Sequence, residues 1–138
     1  FQEAGLITIE KLSKIWRIKS NQTNLLFIRS KIVYNLGFVY KSGLVEFLIE
    51  HFKNPKAILL FGSFRKGEDF INSDIDIAIE SNEIKDYQTM GLRELTEFEK
   101  IIGRKIQIHL FNRANIDDGL FNNIANGILL WGFLEVKK

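Results

Sequence analysis

The 138-residue chain contains no cysteine, a single proline, and no apolar run that approaches the roughly 20 residues a membrane-spanning helix needs. Without cysteine, disulfides, thiol chemistry and cysteine-ligated zinc are excluded. No signal-peptide pattern opens the chain and no repeat or low-complexity stretch interrupts it, so a cytoplasmic address and no membrane partner are expected. Apolar residues are plentiful: they make up 46% of the chain and include twelve phenylalanines, ample for the core of one ordinary domain. The net charge of +2 is small but unevenly spread. Residues 1–56 hold nine Lys/Arg against four Asp/Glu, and residues 57–138 hold ten against thirteen. Any polyanion contact is therefore expected in the front part, although a solvated surface with chance asymmetry gives the same numbers.

The first residue is Phe1, and the opening Phe1-Gln2-Glu3-Ala4 reads as the last turn of a helix stopped by Gly5, so a processed chain or a fragment is expected. Leu6, Ile7 and Ile9 give a short strand, 10–13 a turn, and Ile15, Trp16 and Ile18 a returning strand. Helical spacing follows over 24–36, and a second helix begins at a Ser42 N-cap, carries Leu44, Val45, Phe47, Leu48 and Phe52 on one face, and ends at Asn54-Pro55. Residues 56–61 form a continuous apolar strand of the fully buried kind. Residues 71–80 read as a strand with Ile75, Ile77 and Ile79 on one face and Asp74, Asp76 and Ala78 on the other. A helix over 89–102 stops at Gly103, 105–111 alternates strictly as a third core strand, and 116–125 is helical. Residues 127–136 fit a helix end or a strand equally well.

One segment, AILLFGSFRKGEDFINSDIDIAIE at 57–80, carries the chemistry. On a strand, residues two apart point to the same face, so Asp74 and Asp76 project together. Two such carboxylates cannot both be buried ionised without a cation, and hard oxygen donors favour magnesium shared with phosphates. A half-exposed strand alternating Asp with Ile is the plainer reading of that pair alone. Gly62-Ser63, at the end of the preceding strand, adds backbone N–H groups and a hydroxyl suited to an anion, with glycine permitting close approach. Arg65 and Lys66 neutralise phosphate or solvate the loop. Ser73 orients Asp74 or bounds the strand.

Gly62, Ser63, Gly67, Ser73, Asp74 and Asp76 together resemble the signature of the polymerase-beta superfamily of nucleotidyltransferases, and the short spacer is similar to its minimal prokaryotic members. The likeness runs over about residues 55–135. It implies an α/β (α+β) nucleotidyltransferase fold, a mixed sheet flanked by helices, occupying 54–138 behind an N-terminal hairpin and helices at 1–53. It implies a nucleoside triphosphate, ATP first, gripped at Gly62 and Ser63 with Arg65, Lys66 and Ser73 around it, and Mg2+ held by Asp74 and Asp76. In the family, metal ions clamp the attacking and leaving oxygens as a nucleoside monophosphate passes to an acceptor hydroxyl on a protein, small molecule or nucleic acid. A third carboxylate on the next core strand completes that site. Gln107 stands in its place here, and His109, two residues on, shares its face. A strand histidine is more often a hydrogen-bonded core residue than a ligand.

FQEAGLI followed by a basic hairpin resembles, over a short stretch, the end of a winged helix-turn-helix module, whose wing would bring Lys11, Lys14, Arg17 and Lys19 to DNA phosphates. A solvated hairpin is the plainer alternative. Two functions lead, a nucleotidyltransferase or a catalytically weak nucleotide-sensing module of a winged-helix regulator; a third, a scaffold that keeps the fold but has lost its ligand, is opposed by the intact Gly62-Ser63 and the paired aspartates.

Overall fold

The computed structural model describes residues 14–62, 65 and 74–137, with side chains from residue 24 onward. Leu6 to Ser13, Ser63, Lys66, Gly67 and Ser73 lie outside the described residues. Helix α1 spans Lys14–Lys41 and α2 spans Leu44–His51. Strands β1 (Ala57–Phe61), β2 (Ile75–Glu80) and β3 (Gln88–Met90) follow, then a single 3-10 turn and helix α3 (Thr96–Ile102). Strand β4 (Ile106–Phe111), a second 3-10 turn, helix α4 (Asp118–Ala125) and strand β5 (Ile128–Gly132) complete the order.

The five strands form one mixed sheet in the order β3-β4-β2-β1-β5. Only β2 and β4 run parallel, and α3 sits on the connection between them. The alternation of β2 sorts the two faces as the sequence predicts. Ile75, Ile77 and Ile79 join Ile58, Leu60, Ile106, Ile108 and Leu110 in a core that α1, α2 and α3 cover through Val39, Leu44, Leu48 and Phe98. The opposite face holds a smaller cluster of Ala57, Leu59, Phe61, Ala78 and Phe111, which α4 covers with Ile124 and Phe121. Helix α4 leaves one end of that second face to polar side chains. The α/β fold expected from the sequence, a mixed sheet flanked by helices, is the fold observed.

Three local expectations change. Residues 14–23 are the first turns of α1, not a returning strand. No glycine or proline lies between Ser13 and Leu36, so nothing stops a helix that continues to Lys41 from starting early. The N-cap of α2 is Gly43, in the left-handed region at φ 84°, while the Ser42 hydroxyl donates to the Val39 carbonyl at 2.8 Å. The expected helix over 89–102 begins at Thr96, after the 3-10 turn, because Gln88–Met90 pair antiparallel with β4 as an edge strand. Gly103 ends that helix at φ 79°, as predicted. Within the ambiguous segment 127–136, Ile128–Gly132 form the edge strand β5, paired with β1. Among the described residues no single helix is long and apolar enough to cross a membrane.

Candidate active site

The polar end of the second sheet face is built where β1 stops. Phe61 is the register partner of Asp76 across the antiparallel pair, so the chain leaves β1 beside that carboxylate. Gly62 takes φ +83°, and a Cβ placed there would lie 2.6 Å from Asp76 Oδ2. Both facts require glycine: the backbone is left-handed, and the carboxylate occupies the volume a side chain would fill. The result is a main chain packed directly against one oxygen of Asp76.

The other oxygen has a different partner. In the parallel register Asp76 faces Gln107 and Ala78 faces His109, so all four residues share one sheet face. His109 Nε2 donates to Asp76 Oδ1 at 2.9 Å, since an ionised carboxylate can only accept. Tyr87 closes the far side of the ring, with its hydroxyl hydrogen-bonded to His109 Nδ1. Burial, and secondarily the Asp76 charge, push the Tyr87 phenol above its ordinary value of 10.0. A phenol so held stays protonated and donates to Nδ1, consistent with the Nε2–H tautomer. Phe61 packs edge-on against the imidazole at 4.8 Å between centroids. The His109 side chain is 11% exposed, whereas Asp76 keeps 26% of its side chain open to solvent.

Asp74 lies exposed just ahead of β2, two residues from Asp76. Arg65 is helical and partly buried, and its Nε is buried with no hydrogen-bond partner among the described residues. The structure thus brings Gly62, Asp76, Gln107 and His109 together at the mouth of the sheet. His109 takes the hydrogen-bonded core role that strand histidines usually have, but its acceptor is the carboxylate of the site. Sequence reasoning overlooked Tyr87. Its signal is the edge strand that was read as helix: Thr89 pairs with His109, which places Tyr87, two residues earlier, beside the same ring.

No group of three or more metal-ligating side chains occurs among the described residues. The donors that are present nonetheless fit a magnesium-bound triphosphate. Asp74 and Asp76 supply hard oxygens, Gly62 brings the main chain directly against one of them, and Arg65 carries an unsatisfied donor for an anion. No curated protein and no solved structure matches the chain. The profile of the family described as "Polymerase beta, Nucleotidyltransferase" matches residues 44–132, from the start of α2 to the end of β5. That match takes in every strand of the sheet and both sides of the Gly62–Asp76 contact, and the chain belongs to the polymerase beta nucleotidyltransferase family.

Proposed function

We propose that the domain binds a magnesium-bound nucleoside triphosphate, ATP first among them, and transfers its nucleoside monophosphate to an acceptor hydroxyl with release of pyrophosphate. The observation that carries this reading is the contact between Gly62 and Asp76, which puts the left-handed main chain at the end of β1 and a carboxylate side by side. In this reading Gly62 and Ser63 receive the phosphates, assisted by Arg65, Lys66 and Ser73, and Asp74 and Asp76 hold Mg2+. When bound, the cation supplies charge neutralisation at the phosphates and the leaving oxygen. The chain's own residues bind, orient and neutralise, which is most of what this chemistry asks of a protein.

A second reading, a catalytically weak nucleotide sensor of a DNA-binding regulator, draws support from Gln107 and not from a wing, because Lys14, Arg17 and Lys19 lie in helix α1. Gln107 stands in register with Asp76, where the family resemblance implies a third carboxylate. A neutral amide offers one oxygen and withdraws a full negative charge from the acceptor side.

Calorimetric titration with the four nucleoside triphosphates, with and without magnesium, tests the shared core of both readings. Magnesium-dependent binding that Asp74→Asn with Asp76→Asn abolishes is the expected result, and unchanged binding by that variant refutes both. An α-labelled triphosphate separates them: transfer of label to an acceptor marks the enzyme, and binding without transfer marks the sensor. A salt-dependent DNA shift would further favour the regulator.

A further inference from the structure

We propose that Tyr87 and His109 are positioning residues for Asp76: they hold its carboxylate through Oδ1 and so fix the orientation in which it meets a cation. The inference rests on the nucleotide reading above. It goes beyond that reading by assigning work to two side chains outside the Gly-Ser and Asp-x-Asp pattern.

Three features of the structure carry it. The first is connectivity. Tyr87, His109 and Asp76 form a continuous chain in which each imidazole nitrogen has one partner, fixing the tautomer and the ring plane. The second is packing. His109 is nearly buried, with Phe61 edge-on at 4.8 Å and the Tyr87 ring 5.8 Å away between centroids, so the ring is not free to swing off the carboxylate. The third is the fixed orientation of Asp76. Free carboxylates rotate and offer both oxygens, but here one oxygen is held at 2.9 Å by Nε2 while the other faces the Gly62 main chain. A hydrogen bond from a fixed neighbour to a ligating carboxylate typically sets ligand geometry, and its loss costs about 10–100-fold in metal affinity.

The alternative is that His109 merely fills the sheet face. Two measurements separate the roles. In metal-free protein, long-range 15N–1H spectra of the imidazole should show Nε2 protonated and Nδ1 bare; an Nδ1–H tautomer overturns the proposal. In Mn2+ titrations read by electron paramagnetic resonance, with a non-hydrolysable triphosphate present, His109→Leu keeps an apolar group against Phe61 but removes the donor. It should weaken Mn2+ about tenfold or more. His109→Gln, which restores an N–H for Asp76, should recover most of that loss, and Tyr87→Phe should weaken binding by a smaller factor. Equal Mn2+ affinity in wild type, His109→Leu and Tyr87→Phe overturns the proposal. If His109→Leu fails to fold, Tyr87→Phe and the tautomer decide it. Wild-type protein that takes up no Mn2+ refutes the nucleotide reading instead, and the tautomer then still reports whether the pair holds Asp76.

Discussion

Asp76 and Glu80 sit on the same strand and point to the same face, four residues apart, yet the fold treats them differently. Glu80 is sealed under the end of the sheet with its side chain 4% exposed, and Arg113 Nε meets its Oε2 at 3.2 Å. Arg113 in turn lies over the Phe121 ring of α4, 5.4 Å from its centroid. Asp76 is 26% exposed and is met by a histidine rather than by a permanent cation. A buried carboxylate with a guanidinium partner is electrostatically complete and has nothing left to offer a ligand. A half-open carboxylate restrained by a hydrogen bond keeps most of its negative charge for something else. The strand supplies two acids, and their neighbours decide which is structural and which is available.

The most forceful way to break that comparison is to remove the guanidinium. Arg113→Ala leaves Glu80 buried and unpaired, and should cost about 3 kcal/mol, the low end for a broken buried pair because Arg113 is itself about a third exposed. Urea unfolding measures the loss. Nucleotide affinity, measured where the variant is still folded, should not change. A variant of wild-type stability would mean that Glu80 is not held by Arg113. Gly62→Ala comes next. Its new Cβ would meet Asp76 Oδ2 at 2.6 Å in a left-handed backbone. A loss of about 1–3 kcal/mol is expected, together with loss of magnesium-dependent binding, because the strain falls on the site. Undiminished ligand binding in the folded variant would separate Gly62 from the site.

How much of this contrast the sequence exposes depends on the range of the interactions. The alternation of Ile75, Ile77 and Ile79 with Asp76 and Ala78 is a local, period-two signal, and the structure follows it residue by residue. Gly62 and Asp76 lie 14 residues apart in one motif, and they meet because that motif spans two consecutive strands that pair directly, with Phe61 opposite Asp76. The Arg113–Glu80 and Tyr87–His109 contacts span 33 and 22 residues and depend on where α4 and the edge strand β3 come to rest. No spacing rule reports such contacts. The β3 strand itself is only three residues, Gln88–Met90, too short to impose a period against the leucines that follow it. The start of α1 was misread for a related reason: Ile15, Trp16 and Ile18 suit a strand or a helix, and the uninterrupted helix behind them decides.

Gln107→Asp sharpens the comparison from the other side by making the open end more acidic. The new carboxylate would stand in register with Asp76. Without a cation, two like charges so close should slightly destabilise the fold. With magnesium and triphosphate the sign reverses, and cation affinity should rise several-fold along with any transfer of labelled nucleotide. Equal affinity in variant and wild type would show that position 107 does not face the cation.

The smallest expected effect concerns the far end of the relay, and it is a matter of pH. Burial and the Asp76 charge raise the Tyr87 phenol above 10.0 in the folded protein. In the unfolded chain it ionises near that ordinary value, so at pH above about 10 the native state holds the proton that the unfolded state has released. The stability Tyr87 contributes is therefore fully present below pH 10 and lost as pH rises through the higher folded value. Tyr87→Phe has no proton to lose. The stability difference between wild type and Tyr87→Phe, from urea midpoints at successive pH values, should be flat to about pH 10 and then drift against the wild type. A difference that stays flat well above pH 10 would mean the phenol ionises alike in both states, and so is not held by His109 in the shadow of Asp76.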